Sequence, residues 1–230
     1  MNLFESQNQS KKPLAYRYRP TSLEDFVGQE SIVGEKGVLK KIIQKSRFMN
    51  SIFWGPSGTG KTTLAEIIAS QLNYSYEYLN ATKSSVSDIK EISEKAKKRF
   101  SIEGKQTILF FDEIHRFNKL QQDSLLHDIE IGNLILIGAT TENPYFNLNN
   151  ALLSRCLMFE FKKLTTKNVF EILKRISDAE KIEISDEVLE YVSEIVEGDA
   201  RQAINFLDLL SSLGDVSLDI NEVKQIIQTR

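Results

Sequence analysis

The sequence has a single cysteine among its 230 residues, so a disulfide within the chain is excluded. This suits a reducing compartment, where disulfides are rare. It also lacks an apolar run of about 20 residues, the length that a membrane-spanning helix requires. The N-terminal stretch MNLFESQNQSKK is polar and does not have the apolar segment of a secretory signal. We therefore expect a cytoplasmic protein that makes no membrane contact.

The chain has no excess of charge of either sign. It carries 29 Lys and Arg against 32 Asp and Glu, a net charge of −3. A strongly basic protein that holds nucleic acid by its overall field is thereby excluded, and any DNA contact must use a local basic patch or backbone N–H groups. With 41% hydrophobic and 27% charged residues, the composition is that of a globular protein with one large or two smaller domains.

A glycine-rich stretch, GPSGTGKTT, follows the apolar run Ser51–Trp54 directly. It fits the P-loop pattern GxxxxGK[ST], in which glycines allow successive backbone N–H groups to face phosphate oxygens. Lys61 is predicted to reach the β- and γ-phosphates, and the Thr62 hydroxyl to bind Mg²⁺. The residues predicted to bind ATP are Gly55, Pro56, Ser57, Gly58, Thr59, Gly60, Lys61, Thr62 and Thr63.

Short β-type runs and helical patterns alternate through the first two thirds of the chain. The predicted strands are 52–54, 76–79, 107–112, 134–139 and 157–161, and the predicted helices are 38–45, 62–72, 86–100 and 120–130. Several of these strands are apolar without alternation, which indicates a parallel sheet covered on both faces. Four amphipathic segments follow, at 166–179, 186–196, 200–213 and 220–228. We predict a disordered tail at 1–12, an α/β domain at 13–163 and a small all-α domain at 164–230.

Two acids end the third predicted strand, in the stretch TILFFDEIHRF. Ligands bind beyond the carboxyl ends of strands in open α/β sheets, so Asp112 is predicted to hold Mg²⁺ and Glu113 to act as general base. The alternative is a strand that ends in two solvated acids. The P-loop upstream favours the catalytic interpretation, because one helix, one strand and another helix fit between the motifs. In many P-loop folds, the strand that comes between these motifs in sequence also lies between the P-loop strand and the acidic strand in the sheet.

Three further polar residues are candidates for the site. Thr141 leaves the fourth strand beside the acidic pair and is predicted to contact the γ-phosphate or the attacking water, although threonine also simply favours strands. Arg155 precedes the fifth strand, where it suits either an arginine finger that enters a neighbouring subunit or a surface salt bridge. Arg201 lies in a first helical turn, where a cation opposes the helix dipole, and this suggests an anionic ligand such as the γ-phosphate.

The stretch NATKSSVSDIKEISEKAKKRF is the best candidate for a DNA surface. Ser84 and Ser85 stand where a helix begins, and free N–H groups there can bind a DNA phosphate. Basic residues cluster at the other end of this helix, namely Lys95, Lys97 and Lys98. The alternative is a set of capping serines followed by a solvated helix face.

Taken in order, these motifs resemble an AAA+ ATPase, and YRYRPTSLEDFVGQE resembles the N-terminal box of the clamp-loader clade. DEIHRFNKLQQDSLL and GATTENPYFNLNNALLSRC resemble the replication-associated recombination protein A family, also called maintenance-of-genome-stability protein A. The eukaryotic relative in that family is the Werner helicase-interacting protein. The likeness covers roughly residues 13–212.

The resemblance implies a P-loop AAA+ three-layer α/β domain with a five-stranded parallel sheet, followed by a helical lid. It assigns Lys61 and Thr62 to phosphate and Mg²⁺, and Asp112 and Glu113 to the Walker B positions. The remaining roles that it implies are sensor 1 for Thr141, the finger for Arg155, sensor 2 for Arg201, and nucleotide contacts for Val27 and Gly28.

The function that the resemblance implies is a DNA-dependent ATPase that maintains stalled replication forks by remodelling DNA ends or gaps. The expected partners are single-strand/duplex DNA junctions, single-strand-binding protein, replisome components and further copies of the chain, at the nucleoid. A clamp-loader-type subunit and an ATP-binding recruitment switch with little turnover are the alternatives. Family members usually continue into a C-terminal oligomerisation domain, which this chain, ending at Arg230, is expected to lack.

Overall fold

The computed structural model describes residues 12–45, 47–132, 134–213 and 220–228. They form two compact units, Thr21–Lys162 and a second unit made by the described residues before Thr21 and from Lys163 onward. The predicted disordered tail, residues 1–12, lies outside the described residues except for Lys12. Over the described ranges, no helix combines the length and apolar character needed to cross a bilayer.

A five-stranded parallel sheet forms the centre of the first unit, as predicted. Its strands are β1 (Ser51–Trp54), β2 (Ser75–Asn80), β3 (Thr107–Asp112), β4 (Leu134–Thr140) and β5 (Leu157–Glu160). They lie in the order β2-β3-β4-β1-β5, and every neighbouring pair is parallel.

The helices in the described ranges are numbered along the chain. They are α1 (Leu14–Arg17), α2 (Glu30–Val33), α3 (Val38–Gln44), α4 (Lys61–Gln71), α5 (Val86–Glu103), α6 (Lys119–Ile131), α7 (Pro144–Asn147), α8 (Asn150–Leu153), α9 (Thr166–Glu180), α10 (Asp186–Ile195), α11 (Ala200–Ser212) and α12 (Ile220–Gln228). A short 3-10 turn, Ile114–Arg116, follows β3.

The sheet is covered by helices on both faces, and β3 shows why its sequence does not alternate between apolar and polar residues. Ile108 and Phe110 pack into a core that contains α4 residues, whereas Leu109 and Phe111 pack into a second core with residues of α5 and α6. Both side-chain directions are therefore buried, which is the reason that the run ILFF is apolar throughout. The result is the expected three-layer arrangement.

The strand order corrects one expectation. The strand between the P-loop strand β1 and the acidic strand β3 is β4, whereas β2, which intervenes in sequence, lies at the sheet edge. Burial explains the difference, because all seven residues of β4 are buried while no residue of β2 is fully buried. Exposed polar character suits an edge strand, and a continuous apolar run suits the centre.

The second unit is helical, and its core contains buried residues of α9, α10 and α11, among them Leu173, Val192 and Leu207. It includes residues 13–20, which the sequence analysis assigned to the α/β domain. Leu14 is buried in this helical core. Arg17 donates two hydrogen bonds to the Glu180 carboxylate, at 2.8 and 2.9 Å. These contacts, made by residues distant in sequence, assign the segment to the helical unit.

Candidate nucleotide-binding site

The P-loop begins where β1 ends, and two of its glycines are required by close packing. Gly55 has φ +140°, and a Cβ there would lie 2.1 Å from the Phe161 carbonyl oxygen. Gly60 has φ +98°, and its Cβ would lie 2.6 Å from the Phe26 ring. Both conformations are rarely open to residues with a side chain, and neither position has space for one. The sequence pattern therefore corresponds to a tightly turned backbone.

The loop runs into α4, whose first turn supplies N–H groups for an anion. The Leu64 N–H donates to the Gly60 carbonyl at 2.9 Å and starts the helical hydrogen bonding. The N–H groups that precede it in the first turn have no acceptor within the helix, and they lie at the positive end of the helix dipole. Together with the turned loop, this arrangement binds phosphate in P-loop proteins.

Lys61 lies over the loop that it follows. Its ammonium donates to the carbonyl oxygens of Gly55 and Pro56, both at 2.7 Å. The Thr59 hydroxyl donates to the Pro56 carbonyl at 2.9 Å. The lysine charge is thus held within the loop by backbone oxygens, close to where the P-loop pattern requires a cation for the phosphates.

The segment 26–29 packs against the P-loop through its first and last residues. Phe26 contacts Gly60, and the buried Gln29 side chain approaches the Thr59 carbonyl at 3.5 Å. Val27 and Gly28, predicted to contact the nucleotide, lie between these two anchors and therefore beside the loop.

The Gln29 amide also pairs with both backbone groups of Lys162. It donates to the Lys162 carbonyl at 2.7 Å and accepts from the Lys162 N–H at 2.9 Å. The sequence analysis did not identify this glutamine. Its local sequence gives no signal for the contact, because the two residues are 133 positions apart.

The acidic pair stands at the carboxyl end of β3. Asp112 accepts hydrogen bonds from the Tyr78 hydroxyl and the Glu113 N–H, both at 3.1 Å. Glu113 has φ +53°, in the left-handed region that a residue with a side chain seldom occupies. Such backbone costs on the order of 1–3 kcal/mol and concentrates at functional sites. The turn directs the chain away from the strand immediately after the acid that was predicted to be the general base.

The strand ends bring the P-loop, Thr141 and the acidic pair to one edge of the sheet. Trp54 of β1 is paired with Thr140 of β4, and the Gly55 N–H donates to the Thr140 carbonyl at 3.1 Å. Thr141 comes next and is exposed. On the other side, β4 pairs with β3 up to Phe111, one residue before Asp112. The P-loop, Thr141 and the acidic pair therefore share the carboxyl edge.

Arg155 is not part of this edge. It precedes β5, whose first residue, Leu157, is paired with Ser51 at the start of β1. Its Nε donates to Glu130 at 2.6 Å, and its Nη1 donates to the Ala151 carbonyl at 2.8 Å. The arginine therefore lies at the amino edge of the sheet, on the side opposite the P-loop of its own chain.

Arg201 belongs to the helical unit, in the first turn of α11. Asp199 caps this helix by accepting from the Gln202 N–H at 2.9 Å. Arg201 itself is exposed. The role of Arg201 as sensor 2 stays a prediction.

The DNA candidates lie on α5 or immediately before it, and acidic side chains lie beside them. Asp88 accepts from the N–H and hydroxyl of Ser85, at 2.7 and 2.8 Å, and the backbone hydrogen bond from Ser85 lowers the pKa of this carboxyl. A carboxylate thus already occupies the start of the helix, where a DNA phosphate was predicted. Lys95 is paired with Glu91 at 2.6 Å, whereas Lys97 and Lys98 are exposed. DNA contact at this surface stays a prediction.

Comparison with known proteins identifies the class to which this site belongs. The model of the AAA family, the ATPase family associated with various cellular activities, matches residues 51–164. Among solved structures, the Holliday junction branch migration motor RuvB of Thermotoga maritima is 29% identical, with a TM-score of 0.75 over 92% of this chain and 72% of that chain. The fold and the carboxyl-edge site are those of an AAA ATPase domain.

Curated relatives narrow the class to a family. ATPase WRNIP1 of Dictyostelium discoideum is 48% identical over 209 residues, which is 88% of this chain and 24% of that protein. Replication-associated recombination protein A of Haemophilus influenzae is 47% identical over 210 residues, covering 88% and 47%. The chain belongs to the family of replication-associated recombination protein A and WRNIP1, as the sequence motifs predicted. It spans less than half the length of these two relatives.

Proposed function

We propose that this chain hydrolyses ATP and that DNA stimulates the hydrolysis, in the maintenance of replication forks and in recombination or repair. The observation that supports the chemistry is the shared carboxyl edge, where a phosphate-binding loop meets an acidic pair and a threonine. The family names support the setting, since one relative is called a replication-associated recombination protein. A cytoplasmic location at the nucleoid is part of the same proposal.

ATP would bind with its phosphates in the P-loop, against the first-turn N–H groups of α4 and the Lys61 ammonium. Lys61 would exchange its contacts with the Gly55 and Pro56 carbonyls for phosphate oxygens. This exchange keeps the ammonium paired throughout, because it trades one set of oxygen acceptors for another.

Mg²⁺ fits the donors at this edge. Among the described residues there is no cluster of three or more His, Cys, Asp or Glu side chains that could hold a metal by itself. That suits Mg²⁺, which is usually bound through one or two carboxylates, water and substrate phosphates. Asp112 and the Thr62 hydroxyl are the residues that would hold it. When bound, the ion neutralises charge on the phosphate oxygens during transfer.

Glu113 would accept a proton from the water that attacks the γ-phosphate. A carboxylate next to the one that holds the metal is the reason to favour turnover over a recruitment switch, since binding alone needs no base. Thr141, which leaves the adjacent strand, would contact the γ-phosphate or that water.

DNA binding and assembly into a homo-oligomer are proposed on two grounds. The neighbour RuvB is described as a branch migration motor for Holliday junctions, and Arg155 lies on the side of the sheet away from its own P-loop, as a residue serving a neighbour would. Exposed Lys97 and Lys98 on α5 offer a cationic surface for phosphates. Single-strand-binding protein and other replisome components are the protein partners that we propose.

The test is the steady-state rate of ATP hydrolysis with and without primed single-stranded DNA. Glu113→Gln, purified identically, is the control for contaminating ATPases. We expect measurable turnover that the DNA increases several-fold and that the variant lacks. Turnover unaffected by DNA would contradict the DNA-dependent part of the proposal. Absence of turnover under both conditions, with intact ATP binding, would favour a recruitment switch.

A further inference from the structure

A nearly buried histidine connects the proposed general base to the neighbouring strand. The His115 side chain is only 4% exposed, and its Nε2 lies 3.3 Å from Glu113 Oε2 and 3.3 Å from Glu142 Oε1. Its Nδ1 lies 2.9 Å from the hydroxyl oxygen of Thr140. The sequence analysis quoted His115 only within a family stretch and gave it no role.

The surrounding partners determine which ring nitrogen carries the hydrogen. The Thr140 hydroxyl oxygen accepts from the Glu142 N–H at 3.0 Å, which leaves the hydroxyl hydrogen available. That hydrogen reaches His115 Nδ1 at 2.9 Å more closely than the Glu142 carbonyl at 3.4 Å. Because Nε2 faces two carboxylates, it must be the donor. In its neutral form the ring therefore accepts from Thr140 at Nδ1 and carries its hydrogen on Nε2.

The two acids that lie 3.3 Å from His115 Nε2 differ in their other contacts. Glu142 is held separately, because its Oε2 accepts from the Asn147 amide at 2.6 Å. For the Glu113 carboxylate, the hydrogen on His115 Nε2 is the contact that fixes its direction. The Glu113 backbone is in the left-handed conformation, so the side chain leaves the strand at a position that the sheet itself does not determine.

We propose that His115 is the positioning residue for the general base, building on the ATP hydrolysis proposed above. Thr140 holds the ring in place, and the Nε2–H directs the Glu113 carboxylate. Thr140 lies in β4, between the P-loop strand and the acidic strand, so the base is positioned relative to the P-loop. In this role His115 acts through Glu113.

The kinetic test compares His115→Leu with His115→Gln. Leucine fills the space without polar groups, and we expect kcat to fall on the order of 10- to 100-fold, because a small misplacement of a catalytic group can cost about 100-fold in rate. The KM for ATP should stay within about twofold, because the P-loop is untouched. Glutamine offers an acceptor to Thr140 and a donor to Glu113, and should restore most of kcat. His127→Leu, on the exposed face of α6, is the matched control and should not change the rate.

An unchanged kcat in His115→Leu would overturn the proposal. So would an equal loss in His115→Leu and His115→Gln, since that would reveal a requirement for the ring and not for its hydrogen bonds. A rise in KM with unchanged kcat would indicate damage to nucleotide binding, and would equally contradict a positioning role.

A spectroscopic test does not depend on turnover. The chain has only two histidines, so the His127→Gln variant assigns the ring ¹⁵N signals by nuclear magnetic resonance. We expect His115 to show hydrogen on Nε2, to shift at Nε2 in Glu113→Gln, and to shift at Nδ1 in Thr140→Val. A His115 signal that is the same in Glu113→Gln as in wild type would overturn the proposal. If the wild type binds ATP without turnover, the proposed hydrolysis fails, while these spectra still decide the His115 contact.

Discussion

The position of Arg155 leads to a prediction about where it acts. Replacing it by alanine should leave the ATP affinity of the chain unchanged and reduce turnover in the assembled protein on the order of 10³-fold, the effect of losing an arginine finger. That loss corresponds to about 4 kcal/mol of transition-state stabilisation. The substitution should affect the nucleotide-binding site of the neighbouring subunit, because Arg155 lies at the edge of the sheet opposite the P-loop of its own chain.

The register of the sheet separates Arg155 from the P-loop of its own chain. Leu157 is paired with Ser51, and the P-loop begins four residues later at Gly55. At about 3.3 Å per residue, the two edges are separated by roughly 13 Å. The Arg155 side chain is moreover held at the amino edge by Glu130. Loss of this ion pair, in which the side chains are 40% and 48% exposed, should cost at most about 1 kcal/mol of folding stability. Unfolding therefore cannot account for the predicted loss of turnover.

The assay mixes Arg155→Ala with Glu113→Gln subunits, each inactive alone. In a mixed assembly, an intact Glu113 meets an intact Arg155 at some interfaces, so part of the activity should return. Glu130→Gln is the matched control, because it breaks the same ion pair and keeps the arginine, and it should retain turnover. The reasoning would be refuted by a mixture as inactive as its components, under conditions in which the wild type is assembled and active.

Three further predictions concern single side chains. Gln29→Leu leaves both backbone groups of Lys162 without their partner, and should lower the free energy of unfolding in urea by roughly 2–4 kcal/mol; a loss below about 1 kcal/mol would contradict the contact. Partial burial raises the pKa of the Cys156 thiol to about 12, so alkylation at pH 8 should be on the order of 10³-fold slower than for an exposed cysteine. A rate near that of an exposed thiol would contradict this raised pKa. The hydrogen bond from Tyr18 lowers the pKa of the Glu180 carboxyl, so its stabilisation is present at neutral pH and lost as the pH falls below about 4. Unfolding of Glu180→Gln should therefore differ from the wild type at pH 7 and converge with it in acid, and equal stability at pH 7 would contradict the role of this contact.

Much of the fold could be predicted because its signals are local. The apolar run of β3 and the pattern from Gly55 to Thr62 each contain, within a few residues, the information for a buried strand and a phosphate loop. The P-loop pattern also specifies glycine at positions 55 and 60. The groups that leave no space for a side chain there, Phe161 and Phe26, come from other parts of the chain.

What could not be predicted depends on partners that are distant in sequence. The expectation that β2 lies between β1 and β3 came from other P-loop folds, and the sequence could not correct it because periodicity reports burial and not the identity of the neighbouring strand. Residues 13–20 were assigned to the wrong unit because the decisive contact, between Arg17 and Glu180, spans 163 positions. His115 was named without a role for the same reason, since Thr140 meets it only after β3 and β4 have paired.

Lys61 and Glu113 are expected to have separate roles at the carboxyl edge of the sheet, Lys61 in binding the phosphates and Glu113 in activating water. A paired measurement of ATP affinity and turnover in Lys61→Ala and Glu113→Gln tests this directly. Calorimetry should find ATP binding nearly unchanged in Glu113→Gln and abolished in Lys61→Ala, while neither variant hydrolyses ATP. Equal loss of ATP affinity in the two variants, or wild-type turnover in Glu113→Gln, would contradict the claim.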